Sequence, residues 1–579
     1  MNLQRQWRAM IAPSRPLRKH RVIDGKPPAN VDRRSSNHLF QKARDLANAF
    51  TRIYREPWSI GGNVATGVAS MSRVQPRRPM SLSITSSVSN RSAARGLVPL
   101  CAGVGAYLFY LAAGEILLRD SDTMWQIRVG QWILDHRAMP YSDVFSFTRY
   151  GEAWISSSWL SQVLYALAYG PGDWAGPVIL TSLATGATVA IFLHLLTPYF
   201  DPARAFLIAA LALLLSTTHF FARPHVLALP VLVAFLGGLM AAADRRSHPS
   251  WLLLPLMVLW ANLHGGFVLG LALIGPIGLE AVWSAEPSRR RELIVRWALF
   301  GFAALAASCV TPYGWNTLLG AMKILSLGKL LSLIWEWMPA DFSTPSFFEA
   351  TLLGLIGIAF YRKLTLSVPR ILLLLGLIYM ALTHVRNIEI FAFITPLVLA
   401  KPIAEQWGGP EPAEPRFGEA RSVPFVTILA AIAVLIGGGV TTKLFVDQHP
   451  FKFLPSVTPV AAVDLLQQQK AQRVFSTAPF GGYMVSRGMK VFIDGRAELY
   501  GEQFVLDYFD ATEAKNVGQL LGLLDTYRID ATLLNATSPA GYALDHAAGW
   551  KRLYKDGTAV IHVRANDKTS ALPAAENAN

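Results

Sequence analysis

From residue 97 the chain is a series of apolar runs broken by short polar stretches. The runs at 97–118, 175–196, 205–219, 225–243, 251–264, 266–284, 297–310, 347–361, 370–383, 388–403 and 424–445 give eleven candidate membrane spans. A spanning helix needs about 20 apolar residues, and several of these runs are shorter. Segment 158–170, SWLSQVLYALAYG, is weaker and reads as an interfacial helix, with Trp159 and Tyr165 suited to the headgroup level. Beyond residue 446 the pattern changes. Short β-rich runs at 473–477, 490–494, 531–535 and 559–564 alternate with helical patterns at 458–470 and 515–527, which predicts a small α/β domain.

Charge supplies the expected orientation. Cytoplasmic loops carry the excess of Lys and Arg. Residues 1–96 hold 18 Lys and Arg against 4 Asp and Glu, and so carry nearly all of the formal net charge of +15. With this tail inside, the loops after even-numbered spans are basic: Arg204, Arg245 and Arg246, Arg289 to Arg291, Arg362 and Lys363, and Arg416 and Arg421. If 158–170 spanned, those arginines would lie on the wrong side. The expected architecture is therefore a polytopic all-α membrane protein with a C-terminal extracytoplasmic α/β domain. Its parts are a disordered basic cytoplasmic tail (1–96), a transmembrane domain (97–445) whose first outer loop is 119–174, a periplasmic α/β domain (446–566) and a disordered end (567–579). The tail is rich in Ser and Pro and has no apolar h-region, so it is not expected to be a secretory signal. Met71 and Met80 leave a downstream start open.

Composition agrees with a life in lipid. The chain has 579 residues, of which 52% are hydrophobic and 16% charged, against about 25% charged in soluble domains. Cys101 and Cys309 both fall inside apolar runs and form no disulfide or zinc pattern. Neither G-x-S-x-G nor H-E-x-x-H occurs, which disfavours a soluble hydrolase. The basic tail reads as topological ballast, and no nucleic-acid partner is expected.

The candidate chemistry gathers on the outer side. Asp120 and Asp122 stand where the chain leaves its first span, in a loop rich in Trp, Phe and charge. Two carboxylates one residue apart can share a metal ion, here Mg or Mn, or divide acid and base work; a solvated loop start is the plainer alternative. The same side receives Arg223 and His225 in FFARPH, His264 in WANLHGG, Glu336 in LIWEWMP, and His384, Arg386 and Glu389 in THVRNIE. Ionisable residues near membrane depth usually face a cavity or mark a substrate path. Singly, each has a structural reading: His264 as a helix cap, Arg223 snorkelling, Glu336 paired with Lys329. Arg and His at headgroup depth suit a lipid-linked phosphate, and a carboxylate opposite could deprotonate an acceptor hydroxyl.

An acidic pair after the first span, an aromatic first outer loop, about eleven spans and an outer C-terminal domain together resemble the C-type (GT-C) integral-membrane glycosyltransferases. This superfamily includes the protein O-mannosyltransferases, aminoarabinose transferases and oligosaccharyltransferases. The stretches DSDTMWQIRVGQWILDH, PYSDVFSFT, WISSSWLSQ, NLHGG and FIDGRAELYG resemble most closely a group of bacterial glycosyltransferase-like membrane proteins. The resemblance covers about residues 97–565. It implies transfer of a sugar from a polyprenyl-phosphate donor to a glycan, lipid or protein acceptor, on the outer face of a bacterial inner membrane, with inversion. It implies a base or metal ligand at Asp122 or Asp120, with Asp122 favoured because it leads into the helix carrying Trp125 and Arg128. Arg223, His225, His264, His384 and Arg386 become donor-phosphate contacts, and Glu336 a second acid. No oligosaccharyltransferase WWD-type signature is present in the C-terminal domain.

In FIDGRAELYG, Asp494, Arg496 and Glu498 follow an expected strand, where α/β sheets often bind ligands. They read equally as acceptor contacts or as an internal Asp–Arg pair fixing the turn. A transporter would use similar charges but usually shows internal repeats, and none is evident. A non-catalytic accessory protein of envelope polysaccharide assembly is the other alternative.

Overall fold

The computed structural model describes residues 85–409 and 425–565. The basic tail up to residue 84, the loop carrying Arg416 and Arg421, and the end beyond 565 lie outside the described residues. Each of the eleven apolar runs is helical. They form α1 (Thr85–Ala112), α4 (Ala175–Leu196), α5 (Pro202–Ser216), α6 (Pro224–Asp244), α7 (Leu253–Leu263), α8 (Phe267–Trp283), α9 (Pro287–Ser308), α11 (Phe347–Tyr361), α12 (Val368–Thr383), α13 (Asn387–Trp407) and α14 (Phe425–Gln448). The intervening loops add α2 (Asp122–His136), α3 (Trp159–Gly172) and α10 (Asn316–Leu325). Among the described residues, four helices are long and apolar enough to cross a membrane: α4, α6, α13 and residues Val426–Gln448 of α14. Most of the others are apolar but shorter, so the number of crossings is smaller by this measure than the eleven expected.

Helix α6 is the hub. It is apolar all round, opens with Pro224 in its first turn, and is buried along most of its length, as a helix without a polar face must be. It packs against α4, α7, α8 and α13. Helix α14, by contrast, leaves Val426, Leu435, Ile436 and Leu444 exposed. Gly103 and Gly186 let α1 and α4 approach closely: a Cβ on Gly103 would fall 2.7 Å from the Gly186 carbonyl oxygen, the small-residue contact that membrane helices favour.

A buried polar clamp ties one end of the bundle. Arg370 of α12 is 5% exposed. It donates to Asp244 at the end of α6 at 2.7 Å, to Glu280 of α8 at 3.1 Å and to the Val398 carbonyl of α13 at 3.1 Å. Each guanidinium nitrogen thereby has a partner, as a charge in this setting requires.

The C-terminal part contains α15 (Val460–Gln468), β1 (Val474–Ser476), α16 (Ala478–Ser486), α17 (Glu502–Thr512), α18 (Val517–Thr526), β2 (Ala531–Asn535), α19 (Pro539–Asp545), β3 (Trp550–Lys555) and β4 (Ala559–Arg564). The sheet order is β1-β2-β4-β3, with β1 and β2 parallel and the other pairs antiparallel. Strand β3 was not anticipated, because its Lys551, Arg552 and Lys555 mask the apolar alternation. Run 490–494 corrects the expectation in the other direction. It joins no sheet strand, and Val491 instead bridges to Ser146 of the first loop. The Val491 backbone exchanges hydrogen bonds with Phe145 and Phe147 at 3.1 and 3.0 Å.

That bridge belongs to a shared core. Trp125, Val129, Ile133, Phe145 and Trp154 from the first loop and α2 cluster with Phe475, Phe480, Phe492 and Leu533 from the C-terminal part. At its centre lies Arg496, 1% exposed. Its guanidinium donates to Asp143 at 2.6 Å and to Asp494 at 2.6 Å, and lies 4.7 Å from the Trp154 ring centroid. Asp494 and Arg496 are thus interior fastenings, with no face open to an acceptor. Glu498 accepts from the Trp154 indole at 3.3 Å, at a small cavity of about 60 Å³.

Removing one partner of such a buried pair strands the others. Arg496→Ala is expected to cost about 3–5 kcal/mol. Arg552→Ala, at an exposed pair with Asp545, should cost no more than about 1 kcal/mol. Thermal unfolding of the two variants in detergent compares them directly.

Candidate functional site

The acidic pair sits at the opening of α2. The Asp122 amide donates to Asp120 Oδ1 at 2.9 Å, an Asx-type turn that starts the helix. One turn on, the Trp125 indole donates to Asp122 Oδ1 at 3.0 Å. The loop ahead of α6 is pinned beside it by the Ala222 amide on the Leu117 carbonyl at 2.9 Å. Tyr165 of α3 donates to the Arg223 carbonyl at 3.1 Å. Arg223 therefore enters the site from a fixed backbone.

Its guanidinium is divided among three carboxylates. Arg223 donates to Asp120 Oδ2 at 3.1 Å, to Asp122 Oδ2 at 2.6 Å and to Glu336 Oε1. Glu336 is brought in because its loop pairs with the chain ahead of α13. The Arg386 amide donates to the Glu336 carbonyl at 3.0 Å, and Val385 to Met338 at 2.9 Å. Arg386 then offers a second cation, 4.0 Å from Glu336 Oε2, with its guanidinium 4.5 Å from the Trp337 ring centroid.

Two cations cannot keep three half-buried carboxylates equally ionised. Burial favours the neutral form of Asp122, and this outweighs Arg223, with Asp120 and Glu336 adding repulsion; its carboxyl is raised to about 7. Burial acts on Glu336 in the same sense, but Arg223 and then Arg386 overcome it and hold that carboxyl well below the usual range. Burial alone would lower Arg223, yet Asp120, Glu336 and Asp122 keep it firmly charged. The site thus contains one carboxyl poised near neutrality beside one that stays ionised. Perturbed groups of this kind cluster at functional sites.

The expected phosphate contacts divide. Arg223 donates to the three acids. His225 Nε2 lies 2.7 Å from the His219 carbonyl and His384 Nδ1 2.7 Å from the Trp337 carbonyl; both ring N–H groups serve loop structure. His264 Nδ1 accepts the Gly266 amide at 3.1 Å, which leaves its proton on Nε2. Arg386 and His264 are the two of the five with donors not committed to the acids or to backbone carbonyls. Arg128 donates to Gln131 on its own helix at 3.4 Å.

The pair is satisfied by a guanidinium rather than arranged around a cation. All four oxygens of Asp120 and Asp122 already accept a hydrogen bond or touch Arg223. Among the described residues, no group of three His, Cys, Asp or Glu could hold a metal. A Mg or Mn ion wanting about six oxygens does not fit this set, and no step is assigned to one.

Sequence reasoning missed three participants. His219 is 3% exposed and stacks on Trp335 at 5.3 Å. Gly482 and Gly495 of the C-terminal part lie directly against Ser121 and Asp122. The glycines of GGY and DGR were visible, but what they approach was not.

No protein-family model matches this sequence, and no curated protein matches it. Solved structures with a similar course of chain include those of an Archaeoglobus fulgidus oligosaccharyltransferase. The apo form is 12% identical, with a TM-score of 0.42, over 79% of this chain and 70% of that one. The form tethered to an acceptor peptide is 11% identical, with a TM-score of 0.49, over 82% and 74%. The complex of AglB with an inhibitory peptide and a dolichol-phosphate is 12% identical, with a TM-score of 0.41, over 83% and 75%. These values are too low to assign a family or an activity.

The raised Asp122 carboxyl makes a prediction about stability. The folded state takes up a proton that the unfolded chain has lost, so Asp122 contributes stability that is complete below its ordinary value near 3.8 and is lost as pH rises through about 7. Asp122→Asn removes this dependence. The thermal midpoint of the variant, relative to the unaltered protein, should therefore rise between pH 5 and pH 8.

Proposed function

We propose that this chain is a membrane glycosyltransferase. In this reading it moves a sugar from a polyprenyl-phosphate-linked donor to an envelope glycan, lipid or protein acceptor, at the outer face of a bacterial inner membrane. The basic tail would face the cytoplasm and residues 446–566 the periplasm, as the distribution of Lys and Arg favours. The observation that carries the proposal is the Asp122 carboxyl, raised to about 7 within a half-buried cluster beside the opening of α6. A general base is most effective when its pKa lies near the working pH.

Asp122 takes the proton from the acceptor hydroxyl as its oxygen attacks the anomeric carbon. The bond from that carbon to the phosphate oxygen breaks, the phosphate leaves with the bonding pair on its lipid carrier, and the configuration inverts. Arg386 and His264 face the leaving phosphate with N–H donors, a charge-assisted contact that strengthens as negative charge develops. Asp120 and Glu336 hold Arg223, which keeps Asp122 in place. No metal enters this scheme.

One observation favours the accessory reading instead. Arg223 is engaged by three acids, so these groups already satisfy one another and could serve lipid or glycan binding without turnover.

The test uses purified protein reconstituted with a panel of polyprenyl-phosphate sugars, with released polyprenyl phosphate followed by mass spectrometry. Asp122→Asn should lower release by about 10²-fold or more while carrier binding persists, and Asp120→Asn should lower it less. Full activity in Asp122→Asn would remove the proposed base. Carrier that binds but is never consumed by the unaltered protein would hand the function to the accessory reading.

A further inference from the structure

The turn Asp494–Gly495–Arg496 is far from Asp122 in sequence and adjacent to it in space. A Cβ on Gly495 would fall 2.2 Å from Asp122 Oδ1 and 2.7 Å from its Cγ. No real side chain tolerates such an approach, so bare backbone is what allows the carboxylate its position. Gly495 is nevertheless exposed. It therefore borders solvent beside the carboxylate and fills no packed core. Gly482 repeats the arrangement one residue earlier, where a Cβ would fall 2.2 Å from the Ser121 carbonyl oxygen.

The turn is itself held rigidly. The Arg496 amide and Nε donate to Asp494 Oδ1 at 3.0 and 2.9 Å. Its Nη1 reaches Asp143 of the first loop, which in turn accepts from the Phe145 and Ser146 amides. Trp154, Phe145 and Trp125 surround the guanidinium, with ring centroids 4.7, 5.5 and 6.0 Å away. Trp125 is also the indole that donates to Asp122. One aromatic side chain thus lies against both Arg496 and the carboxylate.

We propose that the Asp494–Gly495–Arg496 turn is a positioning element for Asp122. The C-terminal part then completes a wall of the site and fixes the direction in which the carboxylate faces. The charged groups around Asp122 are Asp120 in its own loop, Arg223 ahead of α6, and Glu336 with Arg386 behind it; Arg496 and Asp494 stand on the turn's side. The expected effect on rate rests on Asp122 being the base proposed above. The expected effect on the carboxylate itself does not.

Full-length Gly495→Ala is compared with Gly522→Ala, a control in the same part of the chain with nothing within 4 Å of an added Cβ. Two quantities are read: the pH midpoint of the Asp122 carboxyl band by infrared titration, assigned by its loss in Asp122→Asn, and the pH profile of carrier release. Gly495→Ala should move both midpoints by about half a unit or more and lower kcat about tenfold or more with little change in KM, the cost of displacing a reacting group. Gly522→Ala should match the unaltered protein. A folded Gly495→Ala with an unmoved infrared midpoint overturns the proposal. If the midpoint moves but the unaltered protein never releases carrier, the positioning role stands and the transferase reading falls. Should Gly495→Ala fail to fold, Arg496→Lys keeps the charge but loses the planar fork. It should shift the midpoint too, and an unchanged midpoint there overturns the proposal equally.

Discussion

A single guanidinium shared by three carboxylates is the constraint on which the site depends. Arg223 joins the end of the first helix, the opening of α6 and the Glu336 loop through contacts to Asp120, Asp122 and Glu336. Arg386 supplies a second cation on the Glu336 side. Burial is what raises the Asp122 carboxyl, against the pull of Arg223, with Asp120 and Glu336 adding repulsion. The same contacts that join the loops also create the group able to move a proton.

The bundle repeats this device at the Arg370 clamp. There Arg370 meets Asp244 and Glu280, and Lys401 donates to the Asp244 backbone carbonyl, so two cations stand against two acids and the residues tie helices together. Near Asp122, three acids meet two cations and the balance is incomplete. Composition is alike at both places, and what differs is whether each charge has its own partner. That difference separates a fastening from a site with chemistry available to it.

The third arginine cluster explains how the two parts of the chain act as one. Arg496 joins Asp494 of the C-terminal part to Asp143 of the first loop within a common aromatic core. The first loop is thus as much a part of the C-terminal core as of the bundle that precedes it. Through Gly482 and Gly495 this shared body abuts Ser121 and Asp122, so the carboxylate is shaped from both sides.

The apolar runs by themselves determined where the helices lie, because a buried or lipid-facing helix must be apolar along its length and the period survives without knowledge of neighbours. Asp120, Asp122, Arg223 and Glu336 were likewise legible as a group, since charge beside an apolar run is rare enough to stand out. Their roles were not. Whether Arg223 meets a phosphate or a carboxylate depends on the distance between loops about a hundred residues apart in sequence. The same holds for Val491, which looks like a strand by composition yet pairs with the first loop, and for Arg496, which reads equally as an acceptor contact or as half of an internal pair and proves to be interior. Local pattern reports the solvent each segment prefers. Only the tertiary structure decides which charges share it, because pairing energy depends on separation and burial, and neither is written along the chain.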